Sequence, residues 1–124
     1  MINFFRKKVE GGVEVCDVLE LLSKGGVLVD VRTPREYEAG HAPGARLVDP
    51  TELAKDPWFA VHGDDPLAEP DGVMVFMCDT GLRSSLAAKI VRDKGYAAEF
   101  VSGGVFAWKE SGQFLLPGPP RNRR

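Results

Sequence analysis

Val73-Met74-Val75-Phe76-Met77-Cys78-Asp79-Thr80-Gly81-Leu82-Arg83-Ser84-Ser85-Leu86 decides how the rest of this 124-residue chain is read. Five apolar residues in a row, Val73 to Met77, predict a strand buried on both faces of a sheet. The strand ends at a cysteine. Six residues, Cys78 to Arg83, then lead into helical spacing at Leu86, Ala87, Ile90 and Val91. Strand, cysteine, short glycine-containing loop and helix together make an anion cradle, in which loop N–H groups converge around the sulfur above the helix N-terminus. Such a cradle favours a thiolate, the nucleophilic form of the side chain. A cysteine that merely fills a core needs neither Gly81 nor the arginine that closes the loop. Arg83 is expected to fold back on the loop's carbonyls and hold its amides inward.

Outward from this stretch, composition excludes more than it assigns. A chain of this length buries roughly two-thirds of its unfolded surface, enough for a core without disulfides or metal. The formal net charge of −2 points to no nucleic acid and to no strongly charged partner. Two cysteines, Cys16 and Cys78, far apart in the chain, do not make a disulfide framework, and no Cys/His cluster has zinc-ligand spacing. A reducing, cytoplasmic setting fits this usage. Met1 to Lys8 has its charges after a very short apolar stretch, the reverse of a signal peptide, and is expected to be a frayed or sheet-edge terminus. No segment approaches the length of a membrane span.

Val15, Val18, Leu19 and Leu22 repeat at i, i+3, i+4, i+7 and predict a helix with one apolar face, stopped by Gly25-Gly26. Cys16 falls off that face and is expected to be partly exposed. Val27 to Val31 is the next strand, interrupted near its C-terminal end by Asp30, where open parallel sheets place their ligands. Thr33-Pro34-Arg35-Glu36 starts a brief helix with Thr33 as N-cap and Glu36 completing a capping box. That is a sufficient local reason for Glu36. Ala45 to Val48 is a short strand, and Asp49-Pro50-Thr51-Glu52 opens another short helix through Lys55.

Trp58 to Gly72 has no clear periodicity and is long for a connection in a compact domain. Trp58 and Phe59 are read as lids on the core and His62 as solvated. The helix after the cysteine loop is predicted from Ser84 to Asp93-Lys94, ahead of Gly95. Ala98 to Val101 is the last strand, before Gly103-Gly104 and a helix with Val105 and Trp108. Leu115 to Arg124 is a proline-stiffened basic tail, expected to be disordered at its end. Strands alternating with helices predict an α/β domain with a mostly parallel sheet.

Cys-x-x-Gly-x-Arg after a strand, here Cys78 to Arg83, resembles the active-site loop of rhodanese-like sulfurtransferases. Asp30-Val31-Arg32, Glu36-Tyr37 and Gly40-His41-Ala42-Pro43-Gly44-Ala45 resemble that family's second signature, and Gly103-Gly104 followed by Trp108 its closing one. Together they cover most of residues 13–112, in the family's order. The resemblance implies a rhodanese-like fold, with a mostly parallel central sheet flanked by helices on both faces. It implies one such domain over residues 1–124, with its core at about 13–112.

It also implies a sulfurtransferase. Cys78 would take a sulfane sulfur from thiosulfate or a persulfide donor, and a thiol, cyanide or a sulfur-accepting protein would remove it. In this reading Cys78 and Arg83 are catalytic, while Asp79, Thr80, Gly81, Leu82 and Ser84 bind substrate through the loop. Asp30 and Arg32 support them, His41 fixes its turn, and no metal or organic cofactor takes part. Two alternatives stay open. Phosphatases and arsenate reductases use a similar cradle, but in the resembling families with one more residue between cysteine and arginine than the four found here. A non-catalytic module that carries sulfur or binds a partner is the other.

Asp79 departs from the pattern, since many members of the resembling family carry a basic or neutral side chain there. Two unit charges about 6 Å apart repel by roughly 0.7 kcal/mol in water and by up to about 3 kcal/mol at an effective dielectric of about 20. A carboxylate at this position is therefore expected to oppose the cradle and to repel a dianion such as thiosulfate.

Overall fold

The computed structural model describes residues 11–120. The expectations for Met1 to Lys8 and for the last residues of the tail, 121–124, lie outside them. The chain runs α1 (Val15–Ser23), β1 (Val27–Asp30), α2 (Pro34–Ala39), β2 (Arg46–Leu47), α3 (Pro50–Lys55), α4 (Pro57–His62), β3 (Met74–Met77), α5 (Leu82–Asp93), β4 (Ala98–Phe100) and α6 (Gly104–Glu110). The four strands form one parallel sheet in the order β2-β1-β3-β4. Val13 extends it by a parallel bridge to Val101.

Side chains alternate across the sheet and build two cores. Val29, Met74, Phe76 and Phe100 pack with Leu53 of α3, Val61 of α4 and Ala87, Ala88 and Val91 of α5. Leu28, Val75 and Met77 pack on the other face with Val15 and Val18 of α1, Tyr37 of α2 and Val105 and Trp108 of α6. Helices thus cover both faces, which is why β3 is apolar at every position and fully buried. The fold is α/β.

Local capping chemistry explains three of the six described helix starts. Thr33 and Glu36 form the reciprocal capping box at α2. Asp49 caps α3 through the Thr51 amide, and Asp56 caps α4 through the Phe59 amide, each with proline at the first helical position. From Trp58 on, α4 falls in the stretch that shows no periodicity, because six residues carry less than two turns of pattern; its signal was Asp56-Pro57, the same device as Asp49-Pro50. Trp58 packs against the core as expected, whereas Phe59 is exposed.

Two apolar faces differ from their sequence reading. On α1, Val15 and Val18 are buried but Leu19 is exposed. On α5, which begins at Leu82 rather than Ser84, the face against the sheet is Ser84, Ala87, Ala88 and Val91. Leu86 and Ile90 instead join Leu82 in an exposed stripe. Both stripes have helical spacing, and the smaller side chains occupy the contact with the sheet.

The tail folds back before it leaves the described region. Leu116 and His41 exchange backbone hydrogen bonds of 2.8 and 3.0 Å, and the Gly118 amide donates to the Glu38 carbonyl. His41 holds this turn: its ring stacks on Tyr37 at 3.7 Å, and its Nδ1–H donates to the Tyr37 carbonyl.

His62 is not solvated. It is 5% exposed, its ring lies 4.1 Å from that of Trp58, and neither ring nitrogen has a hydrogen-bond partner among the described residues. Burial, and then the charge of Arg46, push it below its ordinary value of 6.5, with Asp65 acting weakly the other way. The unfolded chain takes up a proton as pH falls through 6.5 while the folded chain resists it, so stability declines on the acid side. His62→Phe keeps a ring against Trp58 and removes the titration. Urea midpoints measured across pH should fall less steeply below 6.5 in the variant; equal slopes would show that His62 does not titrate in this way.

Candidate active site

Cys78 follows β3 directly, and its position comes from the strand order. The chain leaves β1 for β2 on one side and returns to β3 on the other, so the C-terminal ends of β1 and β3 flank a switch point. Asp30 pairs in register with Met77, and the Val31 amide donates to the Met77 carbonyl. The Asp30–Arg32 segment is thereby set beside the cysteine loop.

The sulfur sits in a small set of donors. The Gly81 amide lies 3.2 Å from Sγ, the Ser84 amide 3.4 Å and the Ser84 hydroxyl 3.4 Å. Gly81, at φ 119°, is the N-cap of α5, and this left-handed turn carries the chain from strand to helix within four residues. Cys78 is 1% exposed and Ser84 is fully buried. Of the amides from Asp79 to Ser84, those of Gly81 and Ser84 reach the sulfur. Thr80 leads into the first of these and Leu82 and Arg83 span the two, with Leu82 exposed.

The loop's outer side is held by α6. The Val105 amide donates to the Cys78 carbonyl at 2.7 Å and the Phe106 amide to the Asp79 carbonyl at 3.2 Å. Gly104 makes this approach available: it has φ 54°, and a Cβ there would collide with both carbonyl oxygens. The Gly103-Gly104 pair in the sequence thus has a physical reason, close approach of one backbone to another.

Arg83 does not bond the loop's carbonyls as the sequence suggested. It is paired with both oxygens of Glu36, at 2.9 and 3.1 Å, and with Asp79 Oδ2 at 3.2 Å. The same Glu36 Oε1 accepts the Thr33 amide at 2.9 Å, so one carboxylate caps α2 and seats the loop arginine. Sequence reasoning missed this second role, because the capping box already accounted for Glu36 and its partner is 47 residues away. Hydrogen bonds from Arg83, opposed by some burial and helped by Thr33, pull the Glu36 carboxyl down from 4.5 to about 2.

Asp30 and Arg32 form a buried pair. Asp30 is fully buried and accepts from Arg32 Nε at 3.0 Å, Nη2 at 2.8 Å and the Arg32 amide at 3.0 Å. Arg32 also donates to the Gly40 carbonyl at 2.8 Å, which closes the α2 turn, and its Nη1 lies 3.7 Å from Asp79 Oδ1. Asp79 therefore faces two guanidinium groups rather than standing unopposed beside Cys78. Cys16 is exposed, as expected, with its sulfur 4.0 Å from Asp17. Among the described residues no three His, Cys, Asp or Glu side chains gather as a metal site would need.

A family model for the rhodanese-like domain matches residues 15–111. The chain is 31% identical over 111 residues to thiosulfate sulfurtransferase 16, chloroplastic, of Arabidopsis thaliana, covering 85% of this chain and 92% of that protein. The human single-domain sulfurtransferase TSTD1 aligns with a TM-score of 0.65 at 30% identity, over 80% of this chain and 95% of that one. A Rhodopseudomonas palustris protein of unknown function, described as a possible tyrosine phosphatase, aligns with a TM-score of 0.64 at 34% identity, over 82% and 81%.

Two outcomes follow from this geometry. Gly104→Ala forces a side chain against the loop at a strained φ, and should lower stability in urea by at least about 2 kcal/mol; an unchanged midpoint would show that the loop is not pressed against α6. Glu36→Gln tests the second anchor. A depressed carboxyl stabilises the fold above its unfolded value of 4.5, and that stabilisation is lost as pH falls toward about 2. The stability gap between wild type and variant should therefore be present at neutral pH and close across that acid range. A gap independent of pH would contradict the pairing.

Proposed function

The chain belongs to the rhodanese-like family, and on that premise we propose that it is a sulfurtransferase whose sulfur passes through Cys78. The observation that carries the reading is the Cys78 sulfur at the base of the loop, with two amides and a hydroxyl between 3.2 and 3.4 Å away. The Cys78 thiolate attacks the outer sulfur of the donor. A bond forms between the two sulfurs, the donor's own bond to that sulfur breaks, and the electron pair leaves with sulfite or a thiolate. Cys78 is left as a persulfide. Cyanide, a thiol or a sulfur-accepting protein then attacks the outer sulfur and restores the thiolate.

The Gly81 and Ser84 donors hold negative charge on the sulfur in both half-reactions, in the manner of an oxyanion hole. Ser84 also donates its hydroxyl to the Gly81 carbonyl or turns it to the sulfur, so it links the two ends of the cradle. Arg83 acts through position: its planar fork ties the start of α5 to Glu36 on α2. The buried Asp30–Arg32 pair supports the same corner. No cofactor is required by these steps. A single domain over residues 1–124 and a cytoplasmic setting belong to the same proposal, the latter resting on two free cysteines; no helix of the described residues is long and apolar enough to cross a membrane.

The phosphatase name belongs to the R. palustris protein. In this chain four residues separate Cys78 from Arg83, and the resulting cradle closes on a lone sulfur with donors at both ends. A non-catalytic carrier is disfavoured by the intact cysteine, its cradle and the seated arginine.

Thiosulfate:cyanide and persulfide:cyanide assays test the proposal. Cys78→Ser should abolish transfer and Cys16→Ser should leave it nearly intact, with aryl phosphates hydrolysed negligibly by the native protein. Cys78-dependent phosphatase turnover exceeding sulfur transfer would overturn the assignment. Arg83→Lys keeps the charge but cannot grip both Glu36 oxygens, and should lose about tenfold or more in activity; full activity would mean that charge alone suffices.

A further inference from the structure

Asp79 follows the nucleophile directly, and its side chain is 53% exposed at the mouth of the loop. Its oxygens are divided between two guanidinium groups, Oδ2 at 3.2 Å from Arg83 Nη2 and Oδ1 at 3.7 Å from Arg32 Nη1. Each of these arginines already holds a carboxylate in two-pronged contact, Arg32 that of Asp30 and Arg83 that of Glu36. Three carboxylates thus meet two guanidinium groups, and the cluster carries one net negative charge before the sulfur ionises. Asp79 is the surplus anion. Burial and the nearby charge of Glu36 push its carboxyl above the ordinary value, against the pull of Arg83 and Arg32.

We propose that Asp79 is a specificity-determining residue, a built-in carboxylate that occupies the seat between Arg32 and Arg83 and so turns the site away from dianionic donors. The donor class it favours is a low-molecular-weight persulfide whose carrier is neutral or bears an ammonium group. This rests on the sulfurtransferase reading and names the substrate class for it. A sulfonate approaching Cys78 would have to displace Asp79 from both arginines, or remain beside it and be repelled. A dianion about 6 Å from a carboxylate in a water-like dielectric loses about tenfold in binding, less as salt screens it. A persulfide carrier with an ammonium group meets attraction at the same place.

The chemistry of the favoured step balances without another reactant. The Cys78 thiolate attacks the outer sulfur of RS–SH, the donor's S–S bond breaks, and its electron pair leaves on RS⁻. The hydrogen stays on the transferred sulfur, giving Cys78–S–SH.

The test compares native protein, Asp79→Asn and Asp79→Glu with thiosulfate and with cysteamine persulfide as donors, cyanide as acceptor, at low and high ionic strength. At low salt Asp79→Asn should lower the KM for thiosulfate by about tenfold, with the gain shrinking as salt rises. Its KM for cysteamine persulfide should stay or increase, and Asp79→Glu should retain the native preference. Parallel changes for the two donors would reduce Asp79 to a loop-shaping residue and overturn the inference, as would an unchanged thiosulfate KM in Asp79→Asn. If native protein forms no Cys78 persulfide from either donor, the sulfurtransferase reading itself falls. Transfer from both donors without discrimination by Asp79 removes the inference alone.

Discussion

The two hydrogen bonds from the first turn of α6 to the Cys78 and Asp79 carbonyls set the path of the whole cysteine loop. A loop of this length between a buried strand and a helix has several ways to turn. With its first two carbonyls anchored on the outside, this loop turns so that the Gly81 and Ser84 amides come back to the sulfur. The anchor works only because Gly104 has no side chain. A helix at the end of the domain thereby determines the shape of a site made from its middle, and α6 in turn is held in place by Val105 and Trp108 in the core.

Charge does the rest of the positioning. Asp30, Arg32, Asp79, Arg83 and Glu36 alternate in sign across the corner where β1, α2 and the loop meet. The inner pair is buried and would leave an unpaired charge if either partner were removed, which makes it a strong positional constraint even where its net stabilisation is small. The outer pair is more exposed and gains less energy from the Coulomb term, but its two-pronged geometry fixes orientation. One cluster therefore reaches from the buried corner at one end to the exposed mouth of the cysteine loop at the other.

Sequence made the centre of this picture readable because its signals are local. An apolar run, a cysteine and a glycine-containing loop fall within a dozen residues, and the Thr33–Glu36 capping box needs only four. What sequence did not show depends on residues far apart in the chain. Glu36 as the seat of Arg83 and the α6 amides as the anchor of the loop leave no periodicity to detect. The exposed face of α5 was misjudged for a different reason: Leu86 and Ile90 share helical spacing with Ala87 and Val91, and only packing distance from the sheet chooses between the two stripes. His62 was misjudged because a histidine among acids and prolines gives no sign that Trp58 and the core will enclose it.

The central claim is that one sulfur atom resides covalently on Cys78 between two half-reactions. Peptide-mapping mass spectrometry of the full chain, after exposure to a persulfide donor and removal of the excess, tests this most directly. The account predicts one added sulfur on the peptide containing Cys78, none on that containing Cys16, and its loss on addition of cyanide. Sulfur located on Cys16 instead, or no cyanide-labile sulfur on Cys78, would contradict it.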